Sequence, residues 1–199
     1  MKKRNSWISI SDLLSSVVLI LLLMFILASV LPQYTQESQK RDMMTQIEKA
    51  LKAYEDKGQV RVHIETGMLE FTSVTFSSGS AELSPAAVSV IKDFSAQLKS
   101  YMTENPKMEV LIEGHTDPAA VSELRNSGGY FANNVQLSTL RAANVRDALL
   151  KIIGMEYANR IGVAGYGETR LKNTENPLSE ENRRIEIRIL WNGQDNGEQ

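Results

Sequence analysis

An α+β fold preceded by a membrane-spanning helix is predicted by three observations. Residues 7–31 carry a single charge, Asp12, in 25 positions. From Val60 onward, apolar residues alternate in short runs, the period of half-buried strands. Between those runs lie two long segments whose apolar residues fall three and four apart, the spacing of amphipathic helices. The expected order is a single N-terminal transmembrane helix, a linker helix, and a sandwich of about four strands with helices on one face. The 199 residues suffice for one domain of ordinary size with an appendage.

Composition excludes several classes. There are no cysteines, so no disulfide scaffold, thiolate zinc site, cysteine nucleophile or lipidated N-terminal cysteine exists. Basic and acidic residues number 22 and 24, a net charge of −2, and no bulk nucleic-acid binding is expected. Twelve glycines and five prolines are too few for a collagen-like chain or a Pro-rich linker protein.

The first element follows from its composition. A 25-residue helix is roughly 37 Å long, enough to cross a hydrocarbon core of ~30 Å with some tilt. In lipid, a lone span must satisfy its own backbone, which leaves the helix as its only form. Trp7 stands at an interfacial position and Pro32 marks the expected exit. A cleaved signal peptide would also begin with a basic stretch such as Lys2, Lys3 and Arg4. The apolar run of residues 13–31 is longer than the usual ~7–15 of such a peptide, and no small-x-small cleavage site precedes a mature start. The expectation is an uncleaved anchor with a cytoplasmic tail (1–6), a span (7–31) and the remainder outside, by the positive-inside rule.

Asp12 is the informative residue of the span. An ionised carboxylate in hydrocarbon costs at least ~2.5–3.5 kcal/mol, so it normally faces a protein partner or a water-filled path. Ser15 and Ser16, at i+3 and i+4, share its helix face. Asp12 either reaches back to the cytoplasmic headgroups or binds and releases a proton or Na⁺. The second role requires other membrane chains, since one helix cannot enclose an ion path.

Residues 32–58 read as a linker carrying an amphipathic helix. Met43, Met44, Ile47, Ala50, Leu51 and Tyr54 form a narrow apolar stripe ending near Gly58. Such a stripe suits pairing with a second copy or docking on a partner; a solvated spacer is the other reading.

A C-terminal domain is expected over 59–192, with a disordered tail at 193–199. VRVHIE and MLEF read as the first two strands around the Gly67 turn. FSSGSAELS is a turn-rich loop. Ser84-Pro85 starts a helix as N-cap and first residue, running to about Met102. MEVLIEGH is a buried strand, residues 116–136 a long loop, and 138–153 a second helix. RIGVAGYG and RRIEIRILW are the last strands. No nucleophile–base–acid set stands out, so no enzyme is expected. His115 reads as a structural residue at a strand end rather than a metal ligand. GYGE is a turn, and no GxxxxGK[ST] motif exists.

Five blocks in order, FSSGSAELS, LIEGHTD, NNVQLSTLRAANV, VAGYGE and ENRRIEIRI, resemble the OmpA-like peptidoglycan-binding domain, a βαβαβ sandwich with a mixed sheet. WISISDLLSS, joined to such a domain, resembles the B subunit of ion-driven stator units, as in the flagellar MotB family and the ZorB subunit of Zorya anti-phage systems. The resemblance implies an inner-membrane protein, single-pass, with a cytoplasmic N-terminus and a periplasmic domain. It implies two copies of this chain within a ring of five MotA- or ZorA-like multi-span subunits. Asp12 would carry the transported H⁺ or Na⁺, with no other cofactor and no metal. The outer domain would hold the unit to peptidoglycan.

The domain's implied chemistry is ionic. Stem peptides offer carboxylates, an ammonium and amides; a planar Arg grips a carboxylate through two parallel hydrogen bonds, and an Asp pairs with an ammonium. Matched to the motif, Asp117 would take the ammonium and Arg141 the carboxylate. Asn134 and Thr116 would hydrogen-bond the stem, and Arg183 would help to orient Asp117. An internal Asp117–Arg141 ion pair without ligand is the competing arrangement. The segment 118–133 is longer than in short family members and would cover the groove or mediate contacts. A short linker fits a ZorB-like subunit better than a flagellar one; a static wall anchor without ion transport is the third reading.

Overall fold

The computed structural model describes residues 6–72, 76, 80–119 and 133–191. Residues 1–5 of the expected cytoplasmic tail, most of the 118–133 segment and the expected disordered tail at 193–199 therefore lie outside the described residues. The chain divides into two compact units, residues 1–40 and 41–199.

The first unit is helical. Helix α1 spans Ser6–Glu55, so the helix passes through Pro32 instead of ending there. Within it, Ile10–Val30 is long and apolar enough to cross a membrane, and its side chains are exposed. The Ser15 hydroxyl donates to the Ser11 carbonyl (2.8 Å) and that of Ser16 to the Asp12 carbonyl (2.8 Å). This back-bonding satisfies both hydroxyls on the helix itself.

The second unit holds strands β1 (Val60–His63), β2 (Met68–Phe71), β3 (Met108–His115), β4 (Ile161–Gly167) and β5 (Ile185–Trp191). It also holds helices α2 (Pro85–Glu104) and α3 (Asn134–Ile153). The five strands form one mixed sheet in the order β1-β2-β5-β3-β4, one strand more than the approximate count from the sequence. Only β3 and β4 run parallel; the other neighbours are antiparallel. Alternation places Leu69, Ile187 and Ile112 in one row and Ile189, Val110 and Ile161 in the next. These residues face the buried positions of α2 (Val90, Ile91, Phe94, Leu98) and α3 (Ala142, Val145, Leu149) in one core.

Helix starts follow the capping chemistry. The Ser84 hydroxyl accepts from Ala87 N–H with Pro85 next in the chain, as expected. In α3 the Asn133 side chain accepts from Gln136 N–H (2.9 Å), so that helix begins at Asn134, earlier than Ser138.

The linker expectation is corrected. Met43, Met44, Ile47 and Leu51 are fully buried, in the same cluster as Phe94 and Ile187. The Tyr54 hydroxyl donates to Asp93 Oδ2 on α2 (2.7 Å), which raises the tyrosine pKa. The stripe is covered by this chain's own core, so it is neither a solvated spacer nor a surface awaiting a second copy. The compact unit starts at Arg41 rather than at 59. Each such side chain contributes roughly 1.5–3 kcal/mol through burial.

Candidate functional site

The site forms where β3 ends beside the first turns of α3. Gly114 and Gly165, register partners on β3 and β4, lie directly under α3. A Cβ on Gly114 would meet the Ser138 carbonyl, and one on Gly165 would meet Thr139. The absence of side chains there lets the helix rest on the sheet. The fit is locked by the buried Ser138 hydroxyl, which accepts from Gly167 N–H (2.9 Å) and donates to the Val135 carbonyl (2.9 Å). Past the strand end, His115 N–H donates to Arg184 O (3.0 Å) and Thr116 N–H to Gly167 O (2.9 Å). These bonds carry β3's line to Asp117 and bring the 183–184 segment beside it.

Asp117 is 3% exposed. Its Oδ2 accepts from Arg183 Nη1 (2.7 Å) and its Oδ1 from Ala119 N–H (3.1 Å). Arg183 also donates to Glu180 Oε1 (3.2 Å). The structure thus joins Asp117 to Arg183 and not to Arg141, so the competing Asp117–Arg141 ion pair is absent among the described residues. Asn134 is buried, with Nδ2 donating to the Pro118 carbonyl (3.4 Å). The Thr116 hydroxyl is buried and has no hydrogen-bond partner among the described residues.

Arg141 is 5% exposed. Its Nε and Nη2 both donate to the Ser80 carbonyl (3.1 and 3.0 Å), and its guanidinium carbon lies 5.0 Å from the Phe76 ring centroid. Burial, with the nearby Arg183 charge, lowers its pKa to about 10, against the opposing pull of Asp117. No carboxylate forms an ion pair with it among the described residues. A buried cation held only by a carbonyl and a ring is costly unless an anion completes its shell.

Behind the site, on the sheet face away from α2 and α3, three glutamates lie side by side: Glu70 opposite Glu186, and Glu186 opposite Glu113. Like charges in register repel, and here cations offset them. Lys172 Nζ contacts both Glu70 oxygens (2.6 Å each). Arg184 Nε donates to Glu186 Oε1 (2.7 Å) and Arg188 Nη2 to Glu113 Oε2 (2.9 Å). Glu113, His115 and Glu186 place potential metal-ligand atoms within 4.8 Å of one another. Arg188 Nη2 also lies 3.7 Å from Glu186, so a guanidinium already serves as the cation between the two carboxylates. His115 is 2% exposed and stacks on Tyr166 (5.4 Å), whose ring lies under Arg170 (3.7 Å). Its pKa falls to about 4 through burial and the Arg184 charge, against the pull of Glu186.

Sequence reasoning missed Ser80 and Phe76, which meet Arg141 from the loop before α2, and Asn144 on α3, which bonds the next residue of that loop, Ala81. The sequence trace of Phe76 and Ser80 is the turn-rich FSSGSAELS block, in which Phe76 bridges Leu83, and that of Asn144 is the NNVQLSTLRAANV block.

The fold and site define an α+β sandwich domain with buried ionic side chains where β3 meets α3, in a chain that opens on an apolar helix. The OmpA family profile matches residues 75–184, and the chain belongs to the OmpA family. Among solved structures, a MotB-like protein from Desulfovibrio vulgaris matches at 24% identity and TM-score 0.59, covering 80% of this chain and 98% of that one. The cell wall anchor of the T6SS from Pseudomonas aeruginosa matches at 22% identity and TM-score 0.55, covering 73% and 96%. The periplasmic domain of Helicobacter pylori MotB matches at 16% identity and TM-score 0.51, covering 64% and 78%. At these identities the likeness is one of fold. No curated protein matches the chain.

Proposed function

We propose that this chain is the cell-wall-anchored B subunit of an ion-driven inner-membrane complex, ZorB-like in its role in anti-phage defence. Its outer domain binds peptidoglycan stem peptides. The observation that carries the wall-binding part is Arg141, a buried guanidinium with no carboxylate in contact among the described residues. Its remaining N–H groups suit a ligand carboxylate. Asp117 then receives the ligand ammonium, with Arg183 holding its orientation, and Thr116 and Asn134 bond the stem. The name of one similar structure, a cell wall anchor, supports a ligand in the cell wall.

The membrane part of the proposal rests on Asp12 within an apolar span. Two copies of the chain sit among five multi-span subunits, and Asp12 passes H⁺ or Na⁺ between them. The short segment 32–40 between span and compact unit supports a ZorB-like subunit over a flagellar one with a long tether. Pull-down on purified cell wall tests the binding site. Wild-type protein is retained, whereas Arg141→Ala and Asp117→Ala are released at least tenfold more readily; equal retention of all three refutes the assignment.

A further inference from the structure

Asn144 stands one turn after Arg141 on α3 and has no place in the ligand set above. Its Nδ2 donates to the Ala81 carbonyl (2.7 Å), while Arg141 holds the carbonyl of the preceding residue, Ser80. Two side chains of α3 thus hydrogen-bond successive carbonyls of this loop. Among the described residues, Glu82 N–H donates to Ser80 Oγ (2.9 Å) and Phe76 bridges Leu83, bonds that lie within the loop.

A guanidinium carries five N–H groups in a plane. Arg141 spends Nε–H and one Nη2–H on the single Ser80 oxygen, which fixes that plane. Of the three remaining N–H groups, one on Nη1 and one on Nη2 form the end edge, the fork that receives a carboxylate through two parallel bonds, and the third, on Nη1, points to the Cδ side. Where the fork points is therefore set by where the Ser80 carbonyl stands. We propose that Asn144 is a positioning residue for anion recognition: by gripping Ala81 it fixes the Ser80 carbonyl, and so aims the free edge of Arg141. This rests on the reading of the site as a carboxylate-binding cleft. Without Asn144, a ligand carboxylate must order the loop as it binds, and that ordering is subtracted from its affinity.

The test uses the full chain in detergent. In the ¹H–¹⁵N spectrum of arginine side chains, the Arg141 Nε–Hε resonance reports the bond to Ser80. Arg146, whose Nε donates to Ile161 O (2.7 Å) from the same helix, is the internal control. In Asn144→Ala, the Arg141 Nε–H is expected to exchange with water at least tenfold faster while Arg146 stays unchanged. Affinity for meso-diaminopimelate is expected to fall three- to tenfold. Asn144→Asp keeps the size but sets a carboxylate against the Ala81 carbonyl, and the same loss is expected, which separates positioning from lost packing. Unchanged Arg141 exchange in both variants overturns the proposal. So does a loss in which Arg146 moves equally, because that is unfolding of the helix. If the wild-type chain fails to bind diaminopimelate, the carboxylate reading falls, and the ligand-free exchange measurement still decides the role of Asn144.

Discussion

Gly114 and Gly165 are register partners whose missing side chains form the seat of α3. A methyl on Gly114 would meet the backbone carbonyl of Ser138, which can retreat only if the helix moves. On Gly165 it would meet the Thr139 hydroxyl and amide nitrogen and the Ser138 hydroxyl. Overpacking of this kind costs about 1–3 kcal/mol, occasionally more. Gly114→Ala is therefore expected to lower the denaturation midpoint and to weaken cell-wall retention in the same variant, since the helix that moves carries Asn134 and Arg141. A Gly114→Ala protein with wild-type stability would refute this packing account.

The buried stripe of α1 predicts where the domain can be cut. A fragment beginning at Arg41 keeps Met43, Met44, Ile47 and Leu51 and is expected to unfold in one cooperative transition. A fragment beginning at 59 exposes the core those side chains cover, and is expected to aggregate or to lose cooperativity. In the longer fragment, Ile47→Ala should cost about 2–5 kcal/mol in urea unfolding, as for other large-to-small core changes. A loss below about 0.5 kcal/mol, the usual range for surface sites, would place Ile47 outside the core.

His115 sets an acid limit. Its folded pKa, about 4, lies below the unfolded value near 6.5, so the unfolded chain binds the extra proton between those values. The associated stability is fully present above about pH 6.5 and is lost as pH falls toward 4. Between pH 7 and 4.5 the wild-type chain should lose about 2–3 kcal/mol from this group. His115→Gln should lack that portion of the decline when both are unfolded by urea across the same pH series. Parallel pH curves for the two proteins would mean that His115 titrates normally in the fold.

Asp12→Asn is expected to abolish ion-dependent activity while the chain still co-purifies with its membrane partner, because the amide keeps the shape and removes the titratable charge. Proton or sodium flux into vesicles, with co-purification measured alongside, reads the two effects separately. Retained flux would leave the chain a wall anchor and nothing more.

The parts legible in the sequence were those whose cause is local. Strands β1 and β5 declared themselves by alternation, β3 as a buried run, and α2 by the Ser84-Pro85 cap. Asp117, Asn134 and Arg141 stood out because their motif does. Periodicity defines a stripe such as Met43–Met44–Ile47–Leu51 without naming what covers it, and the cover proved to be the chain's own sheet and helices. The start of α3 was read late because Asn134 is polar, yet tertiary packing buries it. The block that holds Ser80 was legible, but its attachment to Arg141 was not, since every residue offers a carbonyl. Glu70, Glu113 and Glu186 alternate with core residues as a solvent-facing row would. Only the fold reveals Lys172, Arg184 and Arg188 closing over them.

The burial of Met43, Met44, Ile47 and Leu51 also determines how the domain meets a mechanical load. Tension applied at Arg41 would not unwind a loose leash. It would draw four greasy side chains through the interior in shear, together with the Tyr54–Asp93 clasp. A wall-gripping module pulled from that end would resist as one block, and its weakest point would lie elsewhere.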